Sequence, residues 1–197
     1  MLDLFRPSVH ALCRAYFGLE LRGIENIPAD GPLIITPNHQ TYADPPLVTI
    51  PVRRPIFYMA WSQLFTVPVF SRFIRRLRAF PVDIDKSDAQ AVREAVRLLR
   101  AGEALMIFPE GGRTPDGRLQ PFKLGAFRLA VTHKTPVLPV TIAGGREAWP
   151  PERTLPRRGR ITITYHPPEH PARGANPREA ARDLRDRVVA AIVSALA

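Results

Sequence analysis

Apolar positions recur along the chain in two rhythms, one helical and one strand-like. Phe5, Val9, Leu12 and Tyr16 share a helical face over residues 4–17, with Pro7 tolerated in a first turn. Three short apolar runs follow, at 19–24, 32–37 and 56–60, each bounded by Gly, Pro or Asn, and each reads as a strand. Residues 61–79 are aromatic and basic together, and Pro68 is expected to break or kink any helix there. Ser87 with Gln90 three positions on is a capping-box pattern. Val92, Ala95, Val96 and Leu99 then form one helical face, and Gly102 supplies the stop. The run 104–108 reads as a buried strand entering a glycine-rich loop. A helix over 121–134 offers Phe122, Phe127, Ala130 and Val131 for packing. Strands at 136–144 and 160–166 precede a last helix. Asn176, Pro177 and Glu179 open it, and Leu184, Val188, Ile192 and Leu196 form its stripe.

Strands alternating with helices argue an α/β fold, with a mostly parallel or mixed sheet covered by helices. The expected organisation is an amphipathic N-terminal helix at 1–18 and a single domain over 19–197. The Pro/Arg-rich stretch 146–159 is read as a loop, because too little chain follows it to build a second domain. A length of 197 residues suits one hydrophobic core, and 45% hydrophobic residues exclude wholesale disorder. The formal net charge of +10, mostly arginine, favours a polyanionic partner: nucleic acid or an anionic membrane face. Codon bias in a high-GC genome would produce the same excess of arginine and proline. The basic residues are dispersed, with no recognition helix or RNP motif, so no nucleic-acid partner is expected. Cys13 is the only cysteine, which excludes an internal disulfide and a cysteine zinc site. No run reaches the roughly 18 apolar residues of a spanning helix, and the first twenty positions lack a signal-peptide core. The expected location is peripheral, on the cytoplasmic face of a membrane.

Two stretches carry chemistry. In "NHQTYADPP" (38–46), His39 closely follows a strand, and Asp44 lies five positions on. A carboxylate that accepts the hydrogen of one imidazole nitrogen fixes the tautomer and leaves the other nitrogen free to act as a base. Thr41 and Tyr42 lie between them, but no G-x-S-x-G nucleophile motif is present, and Cys13 has no acid–base neighbour in sequence. Direct deprotonation of a substrate hydroxyl is therefore favoured over a covalent intermediate. In "FPEGGRTPDG" (108–117), Gly111 and Gly112 permit a sharp turn that exposes backbone N–H groups. Arg113 adds a planar fork of donors suited to phosphate. Glu110 is expected to hold Arg113 or to orient a substrate group; a plain surface turn with a solvated ion pair is the competing reading. His10, His133, His166 and His170 show no ligand spacing. Asp83, Asp85 and Asp88 read as loop and cap residues, so no metal site is expected.

Together the two stretches resemble a family. NHQTYAD resembles the N-H-x-x-x-x-D block of the PlsC-like glycerophospholipid acyltransferases, and FPEGGR their F-P-E-G-[TS]-R block. VLPVTIAG resembles their late strand, and RAFPVDIDKSD (78–88) lies where their third block falls. The resemblance implies transfer of an acyl group from coenzyme A or acyl carrier protein, as co-substrate and without a cofactor. The acceptor it implies is a hydroxyl of glycerol 3-phosphate or of a lysophospholipid, typically 1-acylglycerol 3-phosphate, in a membrane. It makes His39 the base and Asp44 its partner, and it assigns Glu110, Gly111, Gly112 and Arg113 to the acceptor site, with Arg113 on the phosphate. Two positions depart from the pattern. Ile84 stands where the third block has arginine, which leaves Lys86, and after it Arg78, Arg75 or Arg76, as candidates for the missing cation. Gly112 replaces a Thr or Ser; Thr114 is the candidate to take over that hydroxyl contact, although its offset differs. Access to a lipid acceptor is expected through Trp61, Phe65, Phe70 and Phe73 interleaved with Arg72, Arg75, Arg76 and Arg78; the alternative is that these aromatics pack the core. Another lyso-lipid acceptor such as a lyso-ornithine lipid, a thioester hydrolase and a basic nucleic-acid-binding module are the rival readings.

Overall fold

The structure is a computed structural model that describes residues 2–84, 88–150, 152–172, 174 and 176–196, without the side chains of residues 2–7 and 9. Helix α1 (Leu2–Phe17) leads into β1 (Glu20–Arg22) and β2 (Leu33–Pro37). Next come α2 (Asp44–Thr49), β3 (Ile56–Trp61), α3 (Pro68–Arg76), β4 (Ala79–Val82), α4 (Ala89–Arg100) and β5 (Ala104–Met106). The chain continues through α5 (Gly125–His133), β6 (Val137–Ala143), the single turn α6 (Gly145–Ala148), β7 (Thr162–Tyr165) and α7 (Pro177–Val193). Seven strands form one sheet in the order β1-β7-β6-β2-β5-β3-β4. Only β6 and β7 pair antiparallel, so the sheet is mixed and the expected α/β class holds.

The pleat of β2 explains how the core divides. Leu33 and Ile35 point to one face, where they join Leu47, Val48, Met106, Leu138 and Val140. Ile34 points to the other, with Leu98, Leu105, Phe127, Leu184 and Val188. All are buried, and each such side chain contributes about 1.5–3 kcal/mol. Strand β2 is therefore apolar at consecutive positions because helices cover both of its faces.

Several elements differ from the sequence reading. Pro68 opens α3 rather than breaking it, since its missing N–H is one that a first turn leaves unpaired anyway. Asp88 is the cap of α4 and accepts from the N–H groups of Gln90 (3.0 Å) and Ala91 (2.9 Å), while Ser87 lies outside the described residues. The buried face of α4 is Ala91, Ala95, Leu98 and Leu99; Val92 is exposed and Val96 only partly covered. The small Ala91 and Ala95 lie on the covered face and the larger Val92 on the open one. Helix α5 begins four residues later than expected, yet Phe122 is buried from the preceding loop. Strand β5 is shorter at its end, and β1 is only three residues long. Helix α2 and strand β4 were not read from the sequence.

The three central strands, β6, β2 and β5, run parallel. Their carboxyl ends share one edge of the sheet, the usual place for a site in such folds. Residues 38–43 leave β2 there, residues 107–124 leave β5, and Gly144 leaves β6.

Candidate active site

Residues 38–43 are nailed down from several sides. Asn38 exchanges two hydrogen bonds with the backbone of Ile142 on β6, donating at 2.9 Å and accepting at 2.7 Å. Gln40 Oε1 accepts from the N–H groups of Gly145 (2.8 Å) and Arg146 (3.2 Å). Between them, the Thr114 N–H donates to the His39 carbonyl at 2.9 Å. Backbone groups in a loop need such partners when water is excluded, and here they tie the two sequence motifs together.

Within that frame, His39 Nδ1 lies 2.8 Å from Asp44 Oδ2. Asp44 is wholly buried at the first residue of α2, and Pro45 and Pro46 fix the helix start behind it. Its Oδ2 also accepts from the N–H groups of Gln40 (2.6 Å) and Thr41 (2.8 Å), and its Oδ1 accepts from the Thr41 hydroxyl (2.8 Å). A carboxylate so engaged cannot turn away from the imidazole. The ring is stacked on Phe108, with centroids 4.0 Å apart and an interplanar angle of 29°. It is still 17% exposed, and no hydrogen bond among the described residues engages Nε2. The pair is therefore oriented on one side and open on the other.

Glu110 does not hold Arg113. Its Oε1 accepts from the His39 N–H at 2.6 Å and its Oε2 from the Gln120 N–H at 2.8 Å. The residue is buried, and that desolvation pushes its carboxyl above the usual glutamate range, against the two backbone N–H groups that favour the charged form. Arg113 instead turns outward onto Tyr42. Its guanidinium carbon sits 3.5 Å from the ring centroid, and Nη2 donates to the Tyr42 hydroxyl at 2.8 Å. Thr114 does not stand in for the missing hydroxyl at 112. It is buried, donates to the Arg118 carbonyl at 2.7 Å and accepts from the Gly117 N–H at 3.0 Å. Gly111 adopts the left-handed φ of +80°, and a Cβ there would collide with the Lys123 side chain. A Cβ on Gly112 would meet open space.

Of the candidates for a further cation, Lys86 lies outside the described residues. Arg75 sits over the Phe65 ring at 4.8 Å and Arg78 over the Phe57 ring at 5.8 Å. The aromatic and basic stretch is not core: no residue of α3 is buried, and Val69, Phe70 and Phe73 are exposed at 79%, 43% and 57% beside exposed Arg72, Arg75 and Arg76. Trp61 is exposed too, while Phe65 is half-buried beneath Arg75. No helix of the described residues is long and apolar enough to cross a membrane. His166 is structural: its Nε2 meets the Thr141 hydroxyl at 2.8 Å, and burial lowers its pKa. Sequence reasoning missed the parts played by Asn38 and Gln40, the contact of Tyr42 with Arg113, and the approach of Lys123 to the Gly111 turn. The first three lie inside the quoted motif, and only the distant groups they meet reveal what they do.

The acyltransferase family profile matches residues 18–143. The chain is 30% identical to the 1-acyl-sn-glycerol-3-phosphate acyltransferase of Bacillus subtilis over 158 residues, 79% of this chain and 75% of the relative. It is 31% identical to that of Pseudomonas aeruginosa over 183 residues, 90% of this chain and 68% of the relative. The chloroplastic 1-acyl-sn-glycerol-3-phosphate acyltransferase BAT2 of Brassica napus is 27% identical over 157 residues; the match takes in 78% of this chain but only 45% of that longer protein. The crystal structure of the 1-acyl-sn-glycerophosphate (LPA) acyltransferase PlsC from Thermotoga maritima superposes with a TM-score of 0.73 at 30% identity, covering 91% of this chain and 72% of that one. A profile match spanning both motifs and a shared fold at 30% identity lead to one statement: the chain belongs to the acyltransferase family.

Proposed function

We propose that this chain moves a fatty acyl group from a thioester, on coenzyme A or acyl carrier protein, to the free hydroxyl of a lysophospholipid. The acceptor that the relatives' names support is 1-acylglycerol 3-phosphate, which would give phosphatidic acid. The observation that carries the reading is the buried Asp44 holding Nδ1 of a half-open imidazole, with the diglycine turn stitched to the same backbone.

The chemistry follows from that geometry. Asp44 keeps the hydrogen on Nδ1, so Nε2 presents its lone pair to the acceptor hydroxyl. As the hydroxyl oxygen attacks the thioester carbonyl, Nε2 takes its proton and Asp44 stabilises the imidazolium. The tetrahedral oxyanion then collapses, the carbon–sulfur bond breaks, and the imidazolium returns the proton to the departing thiolate. General base catalysis of this kind contributes about 10²–10⁴-fold. The remainder must come from positioning the hydroxyl, for which Arg113, held flat on Tyr42, is suited through the acceptor phosphate. The apolar and arginine-bearing surface of α3 suits contact with an anionic bilayer, from which a lipid acceptor would be drawn.

An acyl-coenzyme A assay over a panel of acceptors tests the reading, with His39→Ala as the control. The expected result is transfer to a phosphorylated lyso-lipid, reduced at least about 10²-fold in the variant while the fold is kept. Transfer that survives His39→Ala, or thioester consumption without an acylated product, overturns it.

A further inference from the structure

A phosphate monoester carries about −1.5 to −2 charges at neutral pH. If the proposed acceptor is right, Arg113 supplies only one positive charge against it, and the diglycine turn adds only partial ones. We propose that Lys123 is the second cation of the acceptor-phosphate site, seated there by the absence of a side chain at Gly111. This inference rests on the proposed function, and it assigns a residue that neither sequence motif contains.

The backbone of Lys123 is anchored to the same turn. The Lys123 N–H donates to the Pro109 carbonyl at 2.8 Å, which fixes where the side chain starts. The side chain then runs back over the turn. A Cβ built on Gly111 would lie 3.2 Å from Cδ, 2.8 Å from Cε and 2.6 Å from Nζ of Lys123. The last three atoms of the lysine thus occupy the space that any other residue at 111 would fill. Glycine's tolerance of the φ of +80° is the backbone reason for its presence, and the end of the lysine lies in the space that it leaves. The ammonium makes no hydrogen bond or ion pair with any described residue, although Glu110 is its neighbour along the turn. Both Glu110 oxygens are already taken by the N–H groups of His39 and Gln120. An exposed cation lying beside the backbone of the turn, with no counter-charge among the described residues, fits an anionic ligand better than a structural role. On the side of Gly112 the turn faces open space, so a phosphate can approach.

The location also suits the chemistry. The Gly111 turn is joined through Glu110 to the backbone N–H of His39. A phosphate gripped between Lys123 and Arg113 would be set at a fixed distance from the imidazole that must reach the acceptor hydroxyl. Lysine offers a point charge and three rotatable donors, and arginine a rigid fork, so the two grip different faces of one phosphate.

Two measurements on the full chain test this. The first is binding of a short-chain lysophosphatidate, below its micelle concentration, by titration calorimetry, with monoacylglycerol as the uncharged comparison. Lys123→Met is expected to weaken lysophosphatidate about tenfold or more and to leave monoacylglycerol unchanged. Lys123→Arg is expected to restore most of the affinity. The second is steady-state transfer, where Lys123→Met should raise the acceptor KM by a similar factor with kcat and the donor KM little altered. Unchanged lysophosphatidate binding in Lys123→Met overturns the inference, as does an equal loss for monoacylglycerol. A chain that binds lysophosphatidate through Lys123 but transfers no acyl group refutes the proposed reaction while leaving the phosphate site standing. A wild-type chain that does not bind lysophosphatidate at all overturns both.

Discussion

Replacing Asp44 with asparagine separates two things a carboxylate does for an imidazole. One is to hold the hydrogen on Nδ1; the other is to stabilise the positive ring once Nε2 has taken a proton. Oδ2 receives three donors, namely Nδ1 of His39 and the N–H groups of Gln40 and Thr41, while among the described residues Oδ1 receives only the Thr41 hydroxyl. An asparagine NH₂ turned to the Oδ2 side would face two backbone donors that cannot rotate. Turned to the Oδ1 side it faces a hydroxyl that can rotate and accept. The amide oxygen must therefore take the place of Oδ2, and the histidine keeps its tautomer. What is lost is charge. Hydrogen bonds to charged groups are worth about 1.5–3 kcal/mol against 0.5–1.5 for neutral ones, so the transition state loses about 1–2 kcal/mol. At about 1.4 kcal/mol per factor of ten, kcat should fall about 5–30-fold, well short of the effect of His39→Ala. The two backbone N–H groups also lose a charged acceptor, which lowers Tm by about 2–8 °C. Thiol release and product formation read the rate, and thermal unfolding reads the fold. A loss as large as that of His39→Ala refutes the pinned-amide argument. A kcat within about twofold of the parent, at unchanged Tm, refutes a charged imidazole in the rate-limiting step.

Glu110→Gln should destabilise the fold by about 1–3 kcal/mol, because one of the two N–H groups would face an amide NH₂. Burial raises the Glu110 carboxyl, so the folded chain binds this proton more tightly than the unfolded chain does; this group's contribution is full below the unfolded value of about 4.3 and is lost as pH rises through the folded value. Urea unfolding across that range should show the parent losing ground to Glu110→Gln with rising pH, and a pH-independent difference contradicts the desolvation. Tyr42→Ala removes the ring under Arg113 and should raise the acceptor KM about two- to fivefold with Tm unchanged, whereas Tyr42→Phe keeps the stack; equal effects of the two variants would discount the ring contact. Replacing Phe70 and Phe73 together with serine should weaken flotation with anionic vesicles about tenfold or more without lowering Tm, since both side chains are exposed. Undiminished flotation would remove α3 from the membrane contact.

Elements with a strong internal period were legible from the chain alone. The stripe of α7, the apolar run of β2 and the helix–strand alternation follow from burial repeated every few residues, and burial has a direct signature in side-chain type. Helix α2 was hidden because it is only six residues long and opens with Asp-Pro-Pro, which reads as a loop until the prolines are placed in a first turn. The same ambiguity affected Pro68, a residue that ends one helix and begins another with equal ease. Val92 was misplaced for a different reason. A pattern of apolar residues marks a face, but the small Ala91 and Ala95 lie on the covered face of α4 and the larger Val92 on the open one.

The candidate site was legible in its His39–Asp44 contact and less so in its supports, and the boundary has a physical cause. His39 and Asp44 are close in sequence, so one loop brings them together. Glu110 and Arg113 are close too, and opposite charges three apart invite pairing. Instead the carboxylate turns inward and the guanidinium outward. Two backbone N–H groups, on His39 and Gln120, come from different stretches and converge where water is scarce. Leaving them unpaired costs more than an exposed ion pair would return. Every residue except proline carries the same N–H, so nothing in residue type marks those two donors. The demand arises only when the chain folds, and it draws the Glu110 carboxylate inward. Arg113, released from Glu110, lies on the Tyr42 ring and donates to its hydroxyl, so the conformation of the second motif is set by the backbone of the first.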